Sequence, residues 1–243
     1  MTYKETLFFV AKCLTIQHEE KNRVLIENEL KSKPIDWIAV VKVSSAHYVF
    51  PALYCNLKRA NFLEYVPDDL VEYMIYITNL NRERNEKIIK QAKELNQLLL
   101  DHNITPIFLK GTGNLLEGLY EDIAERMVGD IDFIVAMDEY EKTINLLKKN
   151  EYSVIKNYKT NSTHRHYSPL VNKTRIGAVE IHNSIFQRPY EELLEFEKIK
   201  TTLVKQSDFY FLSNENKLVT TILAKILNDN LFYNHTRVQR NDI

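Results

Sequence analysis

The sequence predicts a mixed α+β fold laid out in three stretches: a helical region over 1–104, an α/β part over 105–211 and a helical segment over 212–243. Three observations carry this. Residues 1–104 contain no glycine and repeat apolar side chains at helical spacing. From Pro106 onward, short apolar runs alternate with turn residues and amphipathic stretches. Past residue 212 the helical spacing returns.

Each element has its own signal. Leu7, Phe8, Ala11 and Leu14, then Val24, Leu25, Asn28 and Leu30, predict two helices, and Pro34 and Pro51 punctuate the chain beyond them. Pro67-Asp68-Asp69 reads as a helix start, with proline at the entrance and acids in the first turn. From there Leu70, Tyr73, Met74, Ile77 and Leu80, then Ile88, Ile89, Ala92, Leu95, Leu98 and Leu99, predict one long helix, or two stacked ones, ending near Asn103. Its middle, residues 81–87, is strongly polar. Ile107-Phe108-Leu109 predicts a buried strand ended by a turn at Lys110-Gly111, and residues 114–120 a short helix. Ile131 to Val135 is a second strand, and Asp138-Glu139 opens a helix carrying Tyr140, Ile144, Leu146 and Leu147. Further strands are expected at 152–155, 166–171 and 177–181. In the last, Ala178 and Glu180 fall on one face, Val179 and Ile181 on the other. Ser213 caps a final helix through Leu218, Ile222, Leu223 and Ile226.

Composition narrows the function classes. The 243 residues are 44% hydrophobic and 27% charged, which excludes global disorder. Net charge is -1, so no electrostatic footprint for a long nucleic acid exists. No apolar run approaches the ~20 residues that span a bilayer. The N-terminal apolar patch is broken by Lys12 and reads as a poor signal peptide. Cys13 and Cys55 form no metal motif, and buried reduced thiols in a cytoplasmic protein are expected.

Glycine is the outlying residue type. Average usage would give about 17 in a chain of this length; there are five, and Gly111, Gly113, Gly118 and Gly129 fall in one short window, with Gly177 apart. That window precedes Asp130-Ile131-Asp132. Four acid-x-acid triplets occur (Glu27/Glu29, Asp130/Asp132, Glu139/Glu141, Glu195/Glu197), about what chance gives, so the triplet alone is no signal. Context separates Asp130 and Asp132: they open an apolar strand whose period puts both on one face. Two acids about to be buried need a cation, and Mg²⁺ takes such carboxylates together with phosphate oxygens. Upstream, Lys110-Gly111-Thr112-Gly113 joins strand to helix, where glycine permits close backbone approach and a helix N-terminus attracts phosphate. It matches neither GxxxxGK[ST] nor GxGxxG. Arg126 stands within reach of a triphosphate. Downstream, Glu180 is an acid inside another apolar strand, placed to ligate the metal and accept a proton. His164, His166 and His182 lack the cysteine partners and helical spacing of a zinc site; work beside Glu180 is the alternative to a plain structural role.

The stretch FLKGTGNLLEGLY…ERMVGDIDFIV…VEIH resembles the DNA polymerase β-like nucleotidyltransferase superfamily, and more closely the bacterial group of uncharacterised nucleotidyltransferases, over roughly residues 82–185. The resemblance implies a small mixed sheet framed by helices. It implies Asp130, Asp132 and Glu180 as metal-binding catalytic acids, and Lys110, Gly111, Thr112, Gly113 and Arg126 on the nucleotide. Lys110-Gly111-Thr112 stands where the superfamily commonly carries Gly-Gly or Gly-Ser. The expected activity is Mg²⁺- or Mn²⁺-dependent transfer of a nucleoside monophosphate from an NTP, ATP first, to a small-molecule or protein hydroxyl, with release of pyrophosphate. The alternative is a non-catalytic nucleotide-binding or antitoxin-like module on the same fold. A glycosyltransferase using Asp130-Ile131-Asp132 would require an α/β first half, which the helical first hundred residues oppose.

Overall fold

The computed structural model describes residues 1–155 and 165–228. The chain forms two compact units, residues 1–85 with 120–127, and residues 86–119 with 128–243.

The first unit is helical. Helices α1 (Tyr3–Thr15), α2 (Glu20–Ser32), α3 (Trp37–Ala46) and α4 (Phe50–Arg59) precede α5 (Asp68–Leu100), whose first half belongs here. No strand occurs before Ile107, so the glycosyltransferase reading falls. The expected helices form, but the first two bury different faces. In α1 Phe9, Val10 and Cys13 are buried while Phe8 is exposed; in α2 Ile26 and Leu30 are buried while Val24 and Leu25 are exposed. Both helices carry apolar residues on more than one face, and spacing alone does not choose between them. The core joins these side chains to Val40, Leu53, Leu57 and Met74. Both cysteines are buried free thiols.

The polar middle of α5 buries Asn81 and Asn85 while Glu83, Glu86 and Lys87 stay exposed. Asn81 Nδ2 donates to the carbonyls of Ala124 and Arg126, and Asn85 Nδ2 to those of Ile123 and Arg126. Arg82 Nη2 pairs with Asp122 at 2.6 Å, and Arg59 with Glu121 and Glu125. The two asparagines satisfy backbone carbonyls of a segment that makes only a short 3-10 turn at Ile123–Glu125, and the two arginines pair with its acids.

The second unit is built on a seven-stranded mixed sheet among the described residues. Its strands are β1 (Ile107–Phe108), β2 (Asp130–Ile134), β3 (Ser153–Val154), β4 (Leu170–Val171), β5 (Ala178–His182), β6 (Val204–Gln206) and β7 (Phe209–Phe211). Their order is β3-β4-β5-β2-β1-β7-β6. The central β2 runs parallel to β5 and antiparallel to β1. Helices α6 (Lys110–Glu117), α7 (Tyr140–Lys149), α8 (Phe196–Lys200) and α9 (Asn214–Asn228) complete it, and Ser213 Oγ caps α9 by accepting from the Asn216 N–H at 3.3 Å.

Two glycines are explained by packing inside this unit. A Cβ on Gly113 would stand 2.8 Å from the Phe108 carbonyl oxygen, and one on Gly177 would stand 2.8 Å from Ile88 Cδ1 on α5. Gln91 fixes the second contact: its amide donates to the Gly177 carbonyl and accepts from the Gly177 N–H, both at 2.9 Å. Gly118 ends α6 in the left-handed region at φ +77°. Helix α6 begins at Lys110 rather than Asn114, because the strand passes directly into it with extended Leu109 as the cap residue.

Candidate active site

The parallel pairing of β2 and β5 builds the site. Its register sets Asp130 opposite Ala178, Asp132 opposite Glu180 and Ile134 opposite His182. Alternation then puts Asp130, Asp132, Glu180 and His182 on one face, while Ile131, Phe133, Val179 and Ile181 bury the other.

Asp132 is the most enclosed acid, with a side chain 2% exposed. Its Oδ1 accepts from Lys110 Nζ at 2.5 Å and from His182 Nε2 at 2.8 Å. Burial alone would raise this carboxyl; Lys110 and then His182 outweigh it and hold the group ionised below the usual carboxylate range. Glu180 behaves oppositely. Burial first, and the neighbouring Asp132 second, push its carboxyl up to about 7. Lys110 Nζ stands 3.9 Å from Glu180 Oε2.

Two imidazoles close the cluster. His182 is buried, and burial followed by the Lys110 charge pushes it down to about 3, so the ring is neutral. Its Nε2 lies 3.8 Å from Glu180 Oε2, and its Nδ1 has no hydrogen-bond partner among the described residues. His166 reaches the same place through an isolated antiparallel bridge to His182. Its Nδ1–H donates to the Tyr167 carbonyl at 2.8 Å, which leaves Nε2 to face Glu180 Oε2 at 3.6 Å. Burial holds this imidazole below its ordinary value too.

Of the nucleotide residues named from sequence, Lys110, Gly111, Thr112 and Gly113 lie in the second unit and Arg126 in the first. Lys110 opens α6 in the left-handed region, at φ +51°, an uncommon conformation for a residue with a side chain. That places its ammonium on the acids. Gly111, Thr112 and Gly113 form the buried first turn of α6. The Thr112 hydroxyl donates to the Asp130 carbonyl at 2.7 Å, tying the helix start to the strand. Arg126 belongs to the first unit, where its carbonyl accepts from Asn81 and Asn85. His164 lies outside the described residues.

The donor set fits a divalent cation on two counts. One ligand atom each from Asp132, Glu180 and His182 lies within 4.8 Å of the others. The two carboxylates also crowd each other enough to raise Glu180, a repulsion that a cation between them relieves. Asp130 stands one step along the same face and adds its charge to that felt by Glu180, outside the three-atom group. His182 is the member whose place in that group the sequence did not single out; the only signal was a histidine two residues after an acid in an apolar strand.

A family model described as "Uncharacterised nucleotidyltransferase" matches residues 33–231. No curated protein and no solved structure matches the chain. No described helix is long and apolar enough to cross a membrane.

Proposed function

The chain belongs to the uncharacterised nucleotidyltransferase family, and from that premise we propose that its nucleotidyl transfer takes place on the β2–β5 face, at Asp132 and Glu180 with Asp130 beside them, using Mg²⁺ or Mn²⁺. As a transferase of this family the protein takes an NTP as substrate; ATP is the NTP proposed. The observation that carries the site is the register that sets Asp132 opposite Glu180 on the central parallel pair. Residues 105–211 form the catalytic part in this reading, and the acceptor is a small-molecule or protein hydroxyl.

Asp132 and Glu180 would hold a divalent ion there, which when bound would neutralise charge on the triphosphate. The protein's own groups do the rest. Asp132 stays ionised and presents fixed negative charge. Glu180 stands opposite Asp132 on the paired strand, in reach of the ion and of the proton of an attacking hydroxyl bound beside it. Lys110 exchanges its contact with Asp132 for one with an entering phosphate. The first turn of α6 offers backbone N–H groups to the same phosphate.

The test is transfer of label from α-labelled ATP, in the presence of Mg²⁺ or Mn²⁺, to a panel of small hydroxyl acceptors and to protein. Wild-type protein forms labelled product, and Asp132→Asn loses at least about 100-fold of the rate, since even groups behind metal ligands cost 10–100-fold. Product formed equally by the variant would remove Asp132 from the chemistry.

A further inference from the structure

The identity of the ion can be read from the register of β2 on β5. Around Asp132 the donors of β5 are displaced toward the C-terminal end of the strands. Glu180 lies directly opposite and His182 one step on, whereas Asp130 faces Ala178, which has no donor to offer. Directly across from Asp130 stands only Ala178; directly across from Asp132 stands a carboxylate, with an imidazole one step on. We propose that His182 Nε2 is a ligand of the ion bound at Asp132 and Glu180, and that this nitrogen makes the site select Mn²⁺ over Mg²⁺. The inference rests on the metal-dependent reading above and extends it to the identity of the ion.

Three further observations support it. The three donor atoms already lie within 4.8 Å of one another, so no strand has to move for them to share an ion. The Lys110 ammonium sits 2.5 Å from Asp132 Oδ1 and 3.9 Å from Glu180 Oε2. A positive charge is thus already drawn between these two acids, and a divalent ion replaces it. The His182 Nε2–H is spent on Asp132, but Nδ1 has no partner among the described residues, so nothing on that side locks the proton at Nε2. The ring can carry its proton on Nδ1 and turn the Nε2 lone pair to the ion. Mg²⁺ is a hard cation that keeps oxygen ligands and water; Mn²⁺ shares its preference for carboxylates but, as a first-row transition ion, takes an imidazole nitrogen at less cost. Two carboxylates with one buried imidazole therefore penalise Mg²⁺ and accept Mn²⁺.

The experiment is pulsed electron paramagnetic resonance of Mn²⁺ added to the metal-free protein, with calorimetric titration of Mn²⁺ and Mg²⁺ alongside. The expected result is ¹⁴N coupling to bound Mn²⁺ in the wild type, with Mn²⁺ held at least about tenfold more tightly than Mg²⁺. His166→Gln and Asp130→Asn keep the coupling. His182→Gln loses it, and its Mn²⁺/Mg²⁺ preference falls toward unity. Two results would overturn the proposal: Asp132-dependent Mn²⁺ binding without nitrogen coupling in the wild type, or coupling that disappears in His166→Gln. Should His182→Gln fail to fold, the wild-type spectrum and His166→Gln still decide. Absence of any Asp132-dependent ion binding is a separate failure, that of the metal reading itself.

Discussion

Asp132 and Glu180 carry the same carboxyl group on adjacent strands, and their surroundings drive the two apart. Asp132 receives a lysine and a histidine on one oxygen and stays charged; Glu180, facing that charge from inside the fold, is pushed up to about 7. The sign of the consequence is definite. Below about 7 the metal-free protein carries a proton on Glu180 that a bound cation must expel, so ion affinity rises with pH up to that point and then levels. Calorimetric titration at about pH 6, in buffers of different ionisation enthalpy, should show release of about one proton per bound ion, and near pH 8.5 almost none. Release of no proton at the lower pH would mean that Glu180 is not a ligand. That each acid interrupts an apolar strand was readable from the sequence; that the two stand opposite each other is shown by the strand pairing. The position of Lys110 was not readable from the sequence, since it depends on where α6 starts and on a left-handed backbone conformation that lysine rarely adopts.

At the scale of elements, glycine proved a guide to packing more than to turns. Among the described residues six non-glycines take positive φ, including Tyr48, Glu151 and Ser207, against Gly118 alone of the glycines. This explains the omission of β6 and β7 from the expected strands. They form a tight hairpin, Gln206 paired with Phe209, across Ser207-Asp208, a dipeptide without the Asn-Gly or Asp-Gly signal of such turns. Conversely, Gly113 lies inside a helix because β1 leaves no room for a side chain. Gly113→Ala must move the Phe108 backbone and should destabilise the protein by about 1–3 kcal/mol. Gly129→Ala meets nothing within 4 Å and should change stability by no more than about 0.5 kcal/mol. Thermal unfolding followed by circular dichroism compares the two; equal effects would show that the α6–β1 contact is not what requires glycine. The polar run in α5 is the complementary lesson. Asn81 and Asn85 belong to a run that reads only as strongly polar, and the irregular backbone of 120–127, brought beside them by the fold, turns them into buried donors.

For the whole molecule, the sequence announced its fold class through three broad changes in pattern, and the helical opening, mixed sheet and final capped helix all form. What it could not announce is register. Strand period placed Asp130 and Asp132 on one face, but only the pairing of β2 with β5 shows that Asp132 faces a carboxylate and Asp130 an alanine. A cation-dependent nucleotide site at Asp132 and Glu180 is the centre of the proposed function, and equilibrium binding tests it without knowledge of the acceptor. Labelled ATP is titrated with the purified protein in Mn²⁺, in Mg²⁺ and in chelator. Such a site gives saturable binding that requires the cation and disappears in Asp132→Asn. Binding of equal strength with chelator, or by Asp132→Asn, would contradict it.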